Sequence, residues 1–95
     1  MPAMLESKIE AHLVKRVKEI GGIAYKFTSP QRRSVPDRLV LLPGGRATFV
    51  ECKATGEHPT EAQTREHARL WALGFPVLVI DSIAGVETFI AGVQS

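Results

Sequence analysis

Near the middle of the chain Glu51 and Lys53 stand two positions apart, in Phe49-Val50-Glu51-Cys52-Lys53-Ala54. Side chains alternate faces along an extended strand, so Glu51 and Lys53 point one way and Cys52 the other. Earlier in the chain Asp37 follows Pro36 and opens a second apolar run, Arg38-Leu39-Val40-Leu41-Leu42. Two carboxylates brought close together repel, and one keeps its proton unless a cation intervenes. A hard divalent ion, Mg²⁺ or Mn²⁺, resolves that conflict with all-oxygen ligation and open positions for water. A phosphodiester supplies further oxygens, and the ion then polarises phosphorus and helps to form hydroxide. The Lys53 ammonium can orient the attacking water or offset charge developing on the phosphoryl oxygens. A solvated Glu–Lys pair, worth under about 1 kcal/mol, accounts for Glu51 and Lys53 alone. An aspartate placed opposite them is what turns the reading towards chemistry.

That placement depends on the surrounding elements. Residues 5–20 carry Leu5, Ile9, Leu13, Val17 and Ile20 at helical spacing, and Gly21-Gly22 stops the helix. Residues 23–28 read as a strand, 29–36 as a polar basic loop, and 37–42 as a second strand. The turn Pro43-Gly44-Gly45 then makes a hairpin with a third strand, 47–53. Its register pairs positions whose numbers sum to about 88, which sets Asp37 opposite residue 51. Thr60 and Gln63 match a capping box for a helix over about 61–73, closed by Gly74 and Pro76. Residues 76–80 form a continuous apolar run, expected to be a strand buried on both faces. A last helix, about 83–93, begins after Asp81 or Ser82. The order αβββαβα predicts an α/β fold with a mixed sheet and helices on its faces. No repeat or linker interrupts it, so residues 1–95 read as one domain.

Composition narrows the function classes. Of the residues, 44% are hydrophobic, enough for one modest core, and no apolar run is long enough to cross a membrane. The single cysteine cannot form an internal disulfide, which suits the cytoplasm. His12, His58 and His67 lack zinc-site spacing, and no glycine-rich loop with a lysine supports a nucleotide cofactor. Net charge is only +2, but Lys26, Arg32, Arg33, Arg38 and Arg46 gather around the second strand and its loop. That cluster, just ahead of Asp37, suits contact with DNA phosphates. Trp71 is expected in the core, and Lys8, His12 and Lys15 on a solvated helix face.

Pro36-Asp37, thirteen intervening residues, and Glu51-Cys52-Lys53 resemble the PD-(D/E)xK nuclease superfamily. The stretches ESKIEAHLVKRVKEIGG, KFTSPQRRSVPDRLVLLPGGR, FVECKA and PTEAQTREHARLWALGF, in that order, resemble the stand-alone VRR-NUC family of viral and bacterial origin. The resemblance spans roughly residues 6 to 81 and implies a restriction-endonuclease-like αβββαβ core with an extra C-terminal helix. It implies a Mg²⁺- or Mn²⁺-dependent, structure-specific DNA endonuclease, homodimeric, acting on branched DNA such as Holliday junctions. Alternatives are a flap or single-strand nuclease within a larger complex, or a non-catalytic DNA-binding module. The resemblance also assigns residues. Asp37, Glu51 and the Cys52 backbone carbonyl would hold the metal, with a glutamate of the first helix reaching it through water. Glu10 fits that position better than Glu6 by its distance from the glycines. Gln63 resembles the glutamine of the helix after the Glu-x-Lys motif. If phage-encoded, the protein would work in the cytoplasm of a bacterial host.

Overall fold

The computed structural model describes residues 4–94. Its elements follow the order α1 (Glu6–Glu19), β1 (Ile23–Lys26), β2 (Arg38–Leu42), β3 (Arg46–Cys52), α2 (Glu61–Ala72), β4 (Val77–Ile80) and α3 (Ile83–Gln94). The four strands form one mixed sheet, β1-β2-β3-β4, antiparallel except between β3 and β4. This is the αβββαβα arrangement and mixed sheet expected from the sequence, with helices on its faces.

Cross-strand partners share a face, so the sheet has two distinct sides. One carries Ala24, Val40, Leu42, Val50, Cys52 and Ile80, all buried. α1 covers it with Ile9, Leu13 and Val17, and α3 with Val86, Phe89 and Ile90. Each fully buried aliphatic chain here contributes about 1.5–3 kcal/mol of transfer free energy. The two helices are also tied by Arg16 Nε, 2.9 Å from a Glu87 oxygen, and by His12 Nε2, 2.8 Å from the same oxygen. His12 therefore bridges two helices where a solvated position was expected.

Glycine shapes two of the junctions. A Cβ on Gly22 would meet the Leu41 carbonyl oxygen at 2.7 Å, so the entry to β1 needs a residue without one. Gly44 and Gly45 have φ of 85° and 75°, the left-handed conformation that turns β2 back into β3. The hairpin pairs Arg38 with Val50 and Leu42 with Arg46, the predicted register.

Three expectations need correction. β1 ends at Lys26, two residues early, although the Phe27 N–H still donates to the Asp37 carbonyl at 2.8 Å. β4 is an edge strand with Val79 44% exposed, because α2 leaves part of its outer side open. Trp71 is 53% exposed, as it turns away from the sheet.

Candidate active site

The sheet ladder stops where the chemistry begins. Pro36 has no backbone N–H to give a partner strand, and β2 pairing starts at Arg38. Asp37, one residue before, uses its side chain instead: Oδ2 accepts the Cys52 N–H at 2.9 Å. This contact fixes one end of the Asp37 carboxylate on the last residue of β3. Lys53 follows at once, its N–H held by the Ile80 carbonyl at 3.0 Å. The backbone on both sides of the Cys52 carbonyl is thus pinned.

Glu51 lies beneath this junction, only 2% exposed. Burial is the main reason its pKa rises to about 8, followed by the neighbouring Asp37 charge, which outweighs the opposing pull of Lys53. A hydrogen bond between the protonated acid and Asp37 adds to the rise. Lys53 Nζ stands 3.7 Å from Glu51 Oε2, and Gln63 Nε2 donates to the same oxygen at 3.4 Å. Gln63 works with both ends of its amide. Its Oε1 accepts the Thr60 N–H at 2.9 Å while the Thr60 hydroxyl accepts the Gln63 N–H at 3.1 Å. The capping box therefore aims the Gln63 NH₂ at Glu51.

The other Glu51 oxygen, Oε1, is buried with no hydrogen-bond partner, and so is His67 Nε2, 3.5 Å away. Burial, and then the Lys53 charge, lower the His67 pKa, so the ring is neutral and this contact is no ion pair. His67 was missed in the sequence reading, which asked only whether the histidines had zinc spacing. The signal was present: His67 lies four residues after Gln63, on the same edge of α2.

Two helix acids were candidates for a place in the site, and the structure gives them different surroundings. Glu10 Oε2 accepts from Arg38 Nε at 2.7 Å, and Lys26 Nζ lies 4.0 Å away. Arg38 also donates to the Ala24 carbonyl at 3.0 Å, so Glu10 and Arg38 clamp α1 to the sheet. Glu6 has its pKa raised first by burial and next by Asp37, with Lys53 opposing, and so shares their electrostatic space. Glu10→Ala should destabilise the fold by roughly 2 kcal/mol, because it strands a part-buried guanidinium. Glu6→Gln should leave thermal stability nearly unchanged. Thermal melts of the two variants check both outcomes.

The basic residues divide as well. Lys26 and Arg33 line a cavity of about 280 Å³ that includes Thr28, Ser29 and Asp37. Arg32 borders it too, while its Nη1 contacts Glu66 at 3.3 Å. Arg38 is occupied by Glu10. Arg46 donates to the Val93 and Pro43 carbonyls at 2.8 and 3.2 Å, holding the end of α3 at the hairpin turn. That turn lies at the other end of β3, about 17 Å from Glu51 at strand rise, so Arg46 does not join the site.

The donor set suits a hard cation. Glu51 has an oxygen without a partner, Asp37 has one oxygen not held by Cys52, and the Cys52 carbonyl directly follows Glu51 in the chain. Among the described residues no three acidic, histidine or cysteine side chains are grouped so as to hold a metal ion by themselves. Coordination would thus need the backbone carbonyl and oxygens from water or substrate, as open catalytic sites do.

No family model matches the chain. Over 82 residues, 86% of this chain and 88% of the relative, it is 65% identical to "Putative nuclease p44" of Acyrthosiphon pisum secondary endosymbiont phage 1. A solved structure named "VRR_NUC domain" superposes with a TM-score of 0.84 at 31% identity, covering 94% of this chain and 97% of that one.

Proposed function

Because the chain belongs to the VRR-NUC nuclease family, we propose that it is a divalent-metal-dependent endonuclease that hydrolyses DNA phosphodiester bonds, acting on branched DNA such as four-way junctions. The observation that carries the reaction class is the meeting of Asp37, Glu51 and Lys53 at one end of the β2–β3 hairpin. Asp37, Glu51 and the Cys52 carbonyl would hold Mg²⁺ or Mn²⁺, with Glu6 of α1 as the acid that would reach it through water. A cation held by these residues would supply polarisation of a phosphoryl oxygen and a lowered pKa for bound water. The chain supplies the rest. Lys53, its side chain only 13% exposed, places an ammonium where negative charge grows during attack. Gln63 and His67 approach the two oxygens of Glu51 from α2 and keep its carboxylate in place. Lys26, Thr28, Ser29 and Arg33 line the approach to Asp37 and would receive the backbone of the strand to be cut.

The preference for branched DNA follows from family likeness together with a second copy of the chain. On the sheet face opposite α1 and α3, Ile23 and its cross-strand partner Leu41 are exposed, with Tyr25 two residues along β1. A contiguous apolar surface of this kind marks an interaction site, and a homodimer built on it would present two catalytic centres to two strands.

The test is incubation of the purified protein with four-way junction, flap, single-strand and linear duplex DNA, under Mg²⁺, Mn²⁺ or EDTA. Paired nicks near the branch point, dependent on metal, are the expected outcome. Preferential cutting of flaps or single strands would remove the junction substrate and keep the nuclease. Binding without cleavage under every metal condition would leave only a DNA-binding module. A monomeric mass by light scattering would remove the dimer.

A further inference from the structure

A cavity of about 310 Å³ lies between the 29–36 loop and α2, outside the catalytic group described above. Four arginines line it: Arg32 and Arg33 from the loop, Arg65 and Arg69 from the helix. Glu66 is the one acid among its lining residues, and it is engaged by Arg32. Arg65 and Arg69 are exposed and one helical turn apart, so their guanidinium groups share an edge of α2. Gln63 and His67, also one turn apart, lie about 160° round the helix from them, on the side that faces Glu51. The helix therefore shows one side to the catalytic acids and the other to an arginine-lined hollow.

This arrangement is costly without an anion. Four like charges around one cavity repel, and Glu66 offsets only one of them. Guanidinium groups present paired N–H donors that match phosphate oxygens. The loop also borders the cavity that holds Asp37, and Arg32 and Arg33 line both. Two basic hollows thus flank one loop, and only one of them contains a catalytic residue.

We propose that the arginine cavity is a second phosphate subsite, which holds a non-scissile backbone phosphate of the DNA substrate. The proposal rests on the nuclease reading and adds how the substrate is registered. Round a helix about 10 Å across, the cavity lies a few nucleotides from the cut, at about 3.4 Å of rise each. A strand gripped at both places cannot slide, so Arg65 and Arg69 fix where the cut falls without touching the reacting atoms.

The experiment is fluorescence anisotropy of labelled single-strand, duplex and four-way junction DNA in EDTA, over a range of salt concentrations. The Arg65→Ala/Arg69→Ala double variant should bind about tenfold more weakly or worse, with a log–log salt slope reduced by about 1 to 2. Lys18→Ala, which removes a charge near the far end of α1, should match the wild type. Arg65→Lys/Arg69→Lys should recover most of the salt slope, which separates lost charge from lost folding. In cleavage assays the alanine pair should raise KM and broaden the cut positions, with kcat within about threefold. Weakened binding to all three DNAs places the cut strand in the subsite; weakened binding to the junction alone places a diverging strand there. Unchanged affinity and salt slope on every DNA would overturn the subsite while leaving the nuclease intact. Weakened binding by a protein that never cleaves would do the reverse.

Discussion

Replacing Lys53 by alanine will lower the rate of DNA cleavage by about a thousandfold and leave divalent-cation binding within a few-fold of wild type. The reason lies in where the ammonium sits. Nζ is 3.7 Å from Glu51 Oε2, on a side chain only 13% exposed, so its charge is weakly screened. Lys53 shares its strand face with Glu51 and adjoins the Cys52 carbonyl, but an ammonium cannot ligate a cation. Its effect falls on the charge that develops during attack, and removing one such donor from a protected site costs about 10²- to 10³-fold in rate. Lys53→Arg should not restore the rate, because the planar fork is larger and directs its donors differently. Single-turnover cleavage beside a cation-binding titration checks both parts. A variant that loses metal and rate together would show Lys53 to be needed for assembling the site.

The second large effect concerns stability. Glu51 has a pKa of about 8 in the folded chain against an ordinary value of 4.5. The folded state therefore holds a proton that the unfolded state has released, and stability falls as pH rises between those values, by about 1.4 kcal/mol per unit. His67 acts in the opposite sense below 6.5: its lowered pKa makes the unfolded chain the better proton acceptor there. Glu6, its pKa raised chiefly by burial, acts in the same sense as Glu51, and Cys52, pushed up to about 12 by burial, titrates well above the range. From pH 6.5 to 8 the main slope therefore comes from Glu51, with Asp37 and Lys53 as its charged neighbours. Across it the metal-free protein should lose roughly 2 kcal/mol, or about 10 °C in Tm. Mn²⁺ at a hundredfold excess over its Kd should return about 2.7 kcal/mol. Glu51→Gln should flatten the metal-free profile and lose the response to Mn²⁺. A metal-free Tm that rises steadily from pH 6.5 to 8 would contradict the burial of Glu51.

The fold was largely legible because its cues are local. Helical spacing of Ile9, Leu13 and Val17, the glycine turn and the Thr60–Gln63 box each act within a few residues. The hairpin arithmetic carried that local knowledge across to Asp37 and Glu51, since a short turn fixes a register. What stayed hidden depends on contacts between elements distant in sequence. Glu6 and Glu10 are one turn apart on α1, and only the folded chain shows that Arg38 engages Glu10. Arg46 looked basic and near, but a strand has two ends. His67 is an ordinary histidine until α2 is docked over Glu51. Val79 and Trp71 read as core because hydropathy cannot show which sheet face a chain of this length leaves uncovered.

Titration of Mn²⁺ into wild type, Asp37→Asn and Glu51→Gln at pH 7.5, followed by calorimetry or electron paramagnetic resonance, addresses the shared cation site itself. Saturable binding to the wild type, weakened at least tenfold in each variant, is what two convergent carboxylates require. Equal Mn²⁺ affinity in all three proteins would mean that Asp37 and Glu51 do not hold an ion together, and that the reaction proposed here has no site.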